Sequence, residues 1–535
     1  MTDKSELAKQ ADESKKSQDA HSVGDVASPN SEKSSEVPGK KKGKAKEKEG
    51  GDKPGILSTD QAQKLLSMNL SLQNEVASMK PTKMQDLINN MSLTDAVTGI
   101  GQKGSQKDMA SYKFWQTQPV PSFSEAQAIT EDGPVKDVKI EDVPKDPRPL
   151  YPGFEWVVMD LNDEGELKEV YELLSGHYVE DHEAMFRFNY SPSFLSWALK
   201  APGWRKDWHI GVRATQSRKL VAFISAIPLE LRVRKNILNA SEVNFLVVHK
   251  KLRDKRLAPV LIGEITRCCN LVGVYQAIYT AGVVLPTPIS TCRYFHRSLN
   301  WEKLYDVGFS PLPQGSTKQR QVLKFKLPTS TSTHGLRLMV KKDIPAVLDL
   351  LKRYLERFQI AQVFTEEEVT HWLLHSSTLS PEQVVWSYVV ESPEKKITDF
   401  ISFYRLESTA LKSAKHTVVR AAYLFYYATE TAFGSTSNQQ SSYHSHRQDN
   451  TLLKKRLNEL VKDAMILAKK EGFDVFNALT LLDNPLFLEE QKFGAGDGHL
   501  HYYLYNYRCT SIPGGINEKK AADEREMGGV GVVML

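Results

Sequence analysis

One order of elements (strand, strand, helix, strand) occurs twice along this chain, and it limits the folds open to the chain more than any other feature. In the first occurrence Leu220-Val-Ala-Phe-Ile-Ser-Ala-Ile227 predicts a strand that stops at Pro228, and Val243-Asn-Phe-Leu-Val-Val248 predicts a second. Residues 259–271 predict a helix with Pro259 in its first turn, where a missing N–H costs nothing. Residues 274–284 predict the closing strand. The second occurrence begins near residue 335. There Thr398-Asp-Phe-Ile-Ser-Phe-Tyr404 echoes Val221-Ala-Phe-Ile-Ser225, followed by a strand over 421–427, a long amphipathic helix over 452–471 and a short strand over 473–478. The expectation is a mixed α/β (α+β) chain in which two copies of one fold stand in tandem. The order of elements carries that expectation more than the short sequence echo does.

Composition sets the boundaries around this repeat. Residues 1–55 are Lys, Ser, Glu, Asp and Gly with almost no aromatics, so they cannot bury enough apolar surface to offset their ordering entropy and read as a disordered leader. The run Lys40, Lys41, Lys42, Lys44, Lys46, Lys48 fits a solvated charged tail, and equally an electrostatic tether to ribosomal RNA or acidic lipid. Residues 56–107 form a linker-like segment with one helical stretch around Leu65, Leu66, Met68, Leu70 and Leu72. The two halves are expected over 108–330 and 331–535, with 434–450 too polar for a core and read as an inserted loop. Hydrophobic residues are 40% and charged residues 25%, as in ordinary globular proteins. No run of eighteen or more apolar residues exists to span a membrane, and the N-terminus lacks the apolar core of a secretory signal. Cys268, Cys269, Cys292 and Cys509 show no Cys-x-x-Cys spacing, so neither a disulfide framework nor a zinc site is expected, and a reducing, cytosolic location fits.

The segment from Glu242 to Ile262 joins a strand, a basic loop and a helix start. Such a junction aims free backbone N–H groups and a helix dipole at whatever lies above the loop, and Arg253, Lys255 and Arg256 add charge there. This fits a pyrophosphate site, or a solvated basic turn. The spacing Arg253-x-x-Arg256-x-Ala258 is similar to the phosphate-binding loop of GCN5-related acyltransferases. Longer motifs then resemble one family. Glu-Val-Asn-Phe-Leu-Val-Val-His-Lys-Lys-Leu-Arg from 242 resembles the first signature of N-myristoyltransferases, and Lys492-Phe-Gly-Ala-Gly-Asp-Gly-His-Leu-His-Tyr-Tyr-Leu-Tyr-Asn506 the second. Tyr112-Lys-Phe-Trp-x-Thr-Gln-Pro-Val120, Tyr178-Val-Glu-Asp, Tyr279-Thr-Ala-Gly-Val-Val-Leu-Pro286, Cys292-Arg-Tyr-x-His-Arg-Ser-Leu-Asn300 and Gly472-Phe-Asp-Val-Phe-Asn-Ala478 are similar too, in order, over about 108–535.

The resemblance implies a tandem pair of GCN5-related acetyltransferase-like halves in one pseudo-symmetric, saddle-like unit. The first half would bind myristoyl-CoA as co-substrate, and the second would supply most of a peptide groove. Tyr112, Lys113, Phe114 and Trp115 would line the cofactor site, although Phe114 and Trp115 also suit a plain core. Phe245, Leu246, Val247 and Val248 would touch the thioester end, with the N–H groups of Phe245 and Leu246 as oxyanion hole; main-chain donors explain an apolar strand at a reacting centre. Arg253, Asp254, Lys255, Arg256, Leu257 and Ala258 would hold the phosphates. Asp254 departs from the usual serine, and its side chain is expected to point outward, because a carboxylate beside a phosphate is unfavourable. Asn244 and Thr280 would position the substrate amine and its first carbonyl. Tyr178, His296, Ser402 and Asp497 would line the groove, with Asp181 and Glu183 as an acidic rim interrupted by His182.

The resemblance also implies the base. No Ser-His-Asp or Cys-His motif stands out, and in the family the chain's own terminal carboxylate takes the proton. This sequence closes on Gly531-Val-Val-Met-Leu535, an apolar segment where a free tail is usually polar. A docked strand without chemistry is the other reading of that segment. The expected reaction is transfer of myristate to the N-terminal glycine of proteins by direct attack, without metal, in a monomer. An acetyltransferase-like enzyme acting on lysine or a small amine, and a non-catalytic ribosome- or lipid-associated adaptor, are the competing readings.

Overall fold

The computed structural model describes residues 109–179, 184–433 and 450–535. The leader expected over 1–55, the segment up to 107 and positions 434–449 of the polar insertion lie outside the described residues.

The first half contributes Phe154–Val158 (β1), Glu164–His177 (α1), Phe186–Asn189 (β2), His209–Ala214 (β3), Leu220–Val233 (β4), Asn236–Val248 (β5), Leu257–Asn270 (α2), Gln276–Ala281 (β6) and Ser290–Ser298 (β7). The second contributes Leu336–Leu338 (β8), Ile344–Leu355 (α3), Ile360–Gln362 (β9), Val385–Glu391 (β10), Ile397–Ala410 (β11), Val418–Thr429 (β12), Thr451–Lys470 (α4), Val475–Leu479 (β13) and Gly494–Tyr505 (β14). Local chemistry marks the helices. Asp163 caps α1 by accepting the N–H of Glu166. Leu257, Leu261, Ile265 and Cys269 recur every fourth residue of α2 and are the face it buries. In α4 the buried residues include Leu453, Leu457, Leu460, Val461, Ala464 and Ala468.

One expectation needs correcting. The strand predicted to stop at Pro228 continues to Val233. Pairing with β3 ends at His209↔Ser225, so Pro228 lies where one side of β4 is a free edge and a missing N–H is tolerated. Likewise β5 begins at Asn236, ahead of its apolar run, because Asn236–Leu238 complete a hairpin with Leu231–Val233.

Among the described residues fourteen strands share one sheet, ordered β1-β3-β4-β5-β6-β14-β7-β13-β12-β11-β10-β8, with β9 added to β4 and β2 to β11. Each half contains one parallel pair: β5 with β6, crossed over by α2, and β12 with β13, crossed over by α4. The halves exchange their last strands. β7 pairs with β13, β14 pairs with β6, and β7 and β14 pair with each other. This is the expected tandem pair of acetyltransferase-like halves. The largest apolar cluster draws on both, from Leu161 and Phe223 to Phe403 and Val532, while a smaller one (Trp208, Ile210, Ile224, Leu261, Ile265) lies under α2.

Candidate active site

β5 and β6 run together only from Ala240↔Gln276 to Glu242↔Ile278, and then part. At the same level β5 bulges against β4: Phe223 pairs with Val247 and Ser225 with Asn244, so Ile224 alone stands opposite Phe245 and Leu246. Phe245 sits at φ 56°, a left-handed conformation that is costly for an aromatic residue. That turn takes the main chain out of the ladder. The Phe245 N–H meets the phenol oxygen of Tyr178, whose pKa is pushed up to about 12 by burial, against the opposing pull of that N–H.

A cavity of about 280 Å³ opens where the strands part. Asn244, Phe245 and Leu246 line it from β5, Tyr279, Thr280 and Ala281 from β6, and Ile262, Ile265, Thr266 and Cys269 from α2. Trp115, Tyr178 and Leu535 line it as well. Trp115 stacks on Tyr279 at 5.7 Å, and Tyr279 on the buried Tyr503 at 5.0 Å, so the two lining rings are backed by a third. Phe114 packs edge-on against Trp115, Tyr112 donates its hydroxyl to the Val284 carbonyl at 3.0 Å, and Lys113 is exposed. Val247 is buried in the large core and Val248 packs on the cluster under α2; neither lines the cavity.

The last residues reach this cavity through the interior. Val530, Val532, Val533 and Met534 are buried. The Gly531 N–H donates to the Ile360 carbonyl at 2.7 Å, the Leu482 N–H to Val530 at 2.8 Å, and the Tyr502 hydroxyl to Val532 at 3.3 Å. The Val533 N–H donates to the Tyr426 phenol oxygen at 3.0 Å. The channel is tight: a Cβ on Gly529 would lie 1.8 Å from the Pro513 oxygen, and one on Gly531 2.8 Å from Phe358. Leu535 then stands in the cavity lining beside Asn244 and Thr280.

Asn244 is held twice. Its amide nitrogen donates to Glu242 Oε1 at 2.5 Å, and its main-chain oxygen accepts from Ser225 Oγ at 3.0 Å. Glu242 is 6% exposed. Burial raises its pKa to about 7, and the hydrogen bond from Asn244 opposes that rise.

The basic loop is a 3-10 turn, Lys250–Lys255, and Arg256 at φ 55° opens α2 with no side-chain cap. The first N–H groups of α2 therefore face the loop without a capping side chain. Arg253 donates to the His177 carbonyl at 2.5 Å, and the rings of His177 and His249 lie 3.9 Å apart. Burial, then the charges of His249, Lys250, Lys219 and Arg253, push the His177 pKa down to about 4. An anion at this junction would relieve that crowding. Lys255 and Arg256 are exposed, Ala258 is half-buried, and Leu257 turns into the core under α2. The direction expected of the Asp254 side chain lies outside what is described.

Of the expected groove residues, His296 shares a 2.8 Å hydrogen bond with Asn477 and packs its ring edge-on against Phe309. Burial lowers its pKa. Asp497 is exposed and close enough for its charge to act on His296. Ser402 is fully buried in the second half's bulge and donates to the Tyr426 carbonyl at 2.6 Å. Asp181, His182 and Glu183 lie outside the described residues. Sequence reasoning missed Glu242, Tyr426, Tyr502 and the His177–His249 pair. Glu242 had a visible signal, a carboxylate heading an apolar strand; Tyr426 sits in an aromatic run where nothing singles it out.

Residues 134–292 match the family model described as the N-terminal domain of myristoyl-CoA:protein N-myristoyltransferase, and residues 306–533 the C-terminal domain of the same family. A glycylpeptide N-tetradecanoyltransferase of Aspergillus fumigatus is 59% identical, covering 92% of this chain and 99% of that protein. The one of Saccharomyces cerevisiae is 48% identical over 85% of this chain and 99% of that protein. A crystal structure of Saccharomyces cerevisiae N-myristoyltransferase with bound myristoyl-CoA superposes with a TM-score of 0.74 at 49% identity, covering 79% of this chain and 99% of that one.

Proposed function

The chain belongs to the myristoyl-CoA:protein N-myristoyltransferase family, and from that membership we propose how its own residues move myristate from myristoyl-CoA to the N-terminal glycine of a protein. It is an acyltransferase of the glycylpeptide N-tetradecanoyltransferase type. The observation that carries the mechanism is convergence. One cavity is lined by the bulged residues Phe245 and Leu246, by Asn244 and Thr280, and by the last residue, Leu535.

In this reading the first half binds myristoyl-CoA, with the phosphates over the loop from Arg253 to Ala258, and the second half supplies most of the peptide groove. The glycine ammonium arrives between Asn244 and Thr280. The Leu535 carboxylate takes one proton, and the neutral amine attacks the thioester carbon. The N–H groups of Phe245 and Leu246 receive the developing oxyanion, so Tyr178 yields the Phe245 N–H as substrate enters. Collapse breaks the carbon–sulfur bond. The second amine proton leaves with the thiolate as coenzyme A thiol, and the product is the amide. Holding both reactants in one cavity supplies much of the rate. The Lys40–Lys48 run would tether a monomeric, cytosolic enzyme to ribosomal RNA, which salt-dependent co-sedimentation with ribosomes tests.

Thiol release from myristoyl-CoA, measured with matched peptides beginning in Gly, Ala or N-acetyl-Gly, tests the central claim. Release with Gly alone is expected. Release with all three points to a lysine acyltransferase, and release with none to a non-catalytic adaptor.

A further inference from the structure

Glu242 and Asn244 stand two apart on β5, so their side chains leave the same face of the strand. Glu242 forms the last pair that β5 makes with β6, and Asn244, next to Phe245, lines the opened cleft. The two side chains meet at 2.5 Å through Asn244 Nδ2 and Glu242 Oε1. Among the described residues, burial and Asn244 are the influences on Glu242 and no cation is one of them, although its charge acts on the phenols of Tyr404 and Tyr426. A carboxylate placed there carries a desolvation cost that a hydroxyl or amide at the same position would avoid. Its position therefore needs a reason beyond packing.

Above about pH 7, where Glu242 is ionised, its carboxylate only accepts hydrogen bonds, while the asparagine amide has one accepting and one donating end. Turning that amide over would set two oxygens against each other at the same distance. Ser225 holds the Asn244 main chain at 3.0 Å, which fixes the backbone from which the amide extends. We propose that Glu242 is a positioning residue that locks the Asn244 amide, so that its oxygen, and not its NH2, is presented to the incoming glycine ammonium. The inference rests on the reading that Asn244 meets the substrate amine. With the lock absent, a flipped amide would present donors to a cation and oppose its binding and deprotonation.

The test is a double-mutant cycle followed by single-turnover transfer from prebound myristoyl-CoA to a glycine peptide. Glu242→Gln keeps the shape but offers Asn244 either an oxygen or an NH2. It should slow transfer about 30-fold, the worth of one hydrogen bond to a charged group, with myristoyl-CoA affinity unchanged. In the Asn244→Ala background the same change should cost less than about twofold, because the group it orients is gone. An equal cost in both backgrounds, or no cost in the native one, overturns the inference while leaving the transferase reading intact. Failure of the native chain itself to acylate the peptide overturns both. The reversed pair guards against a variant that does not fold. Asn244→Asp alone should lose transfer, and adding Glu242→Gln should restore it at least about tenfold, the introduced amide donating to the introduced carboxylate, whose other oxygen still faces the ammonium. Absence of that recovery overturns the inference.

Discussion

Both halves carry the same irregularity in their central strand pair, and they use it in opposite ways. In the first, Ile224 of β4 faces Phe245 and Leu246 of β5; in the second, Ser402 of β11 faces Phe425 and Tyr426 of β12. In both the parallel neighbour leaves just before the bulge, after Glu242↔Ile278 and after Tyr423↔Asn477. The difference lies in the backbone. Phe245 is left-handed, whereas neither Phe425 nor Tyr426 has a positive φ. The first bulge turns its main chain toward a cavity. The second keeps its polar groups inside the protein: Ser402 bonds the Tyr426 carbonyl, and the Tyr426 phenol grips Val533. One bulge opens on the cavity, and the other anchors the segment that brings Leu535 to it. The strain at Phe245 marks which is which, since strain persists where the surroundings over-determine it.

The largest effect should come from cutting the link between the bulges. Deleting Met534 and Leu535 should lower turnover at least about a thousandfold while leaving myristoyl-CoA binding in place, as removal of a general base does. Turnover that survives would reduce the second bulge to a structural clasp. Next is the carboxylate beside the open bulge. The folded pKa of Glu242 is raised to about 7 from 4.5, so its stabilising, protonated form is fully present below pH 4.5 and is lost as pH rises through 7. Denaturant titrations at pH 5 and pH 8 should therefore show Glu242→Gln gaining about 2 to 3 kcal/mol on the native chain between the two. A pH-independent difference would mean that Glu242 titrates normally. Tyr426→Phe leaves the Val533 N–H buried without its acceptor, and should cost about 2 kcal/mol of stability and lower kcat with little change in myristoyl-CoA affinity. A matched fall in affinity would place its effect in the first half. The smallest effects come from the paired serines. Ser225→Ala and Ser402→Ala should each cost about 1 kcal/mol in denaturant unfolding, but only Ser225→Ala, whose hydroxyl holds Asn244, should also slow transfer a few-fold, on the order of 3. Equal kinetic effects would erase the distinction between an open and a closed bulge.

Much of this was legible in the sequence because apolar period and strand–helix order are local properties. The strand from 243, the helix after Pro259 and the helix from 452 all stand within about two residues of expectation at one end or both, the usual blur of element boundaries. Pro228 misled because a strand edge is a tertiary fact: only the departure of β3 makes a proline harmless there. The cavity residues Asn244, Phe245, Leu246, Thr280 and Leu535 were found through long motifs, yet no motif says that Phe245 is left-handed or that Glu242 orients its neighbour. Those features depend on which strands part company, and on segments as distant as Ile360 and Leu482 closing around the last residues. The exchange of β7 and β14 was also out of reach, since an order of elements does not say which neighbour each one pairs with.

That exchange governs when the protein can become an enzyme. The outer edge of β6, which carries Thr280, is paired by residues 501–505 of β14 and by no strand of its own half. During synthesis the first half therefore emerges with that edge bare, and it cannot finish its sheet until nearly the whole second half has been made. Contacts this far apart in sequence close slowly. A nascent chain cut short between α2 and β14 would carry every residue of the basic loop and still lack the strand that completes the sheet beside the cavity.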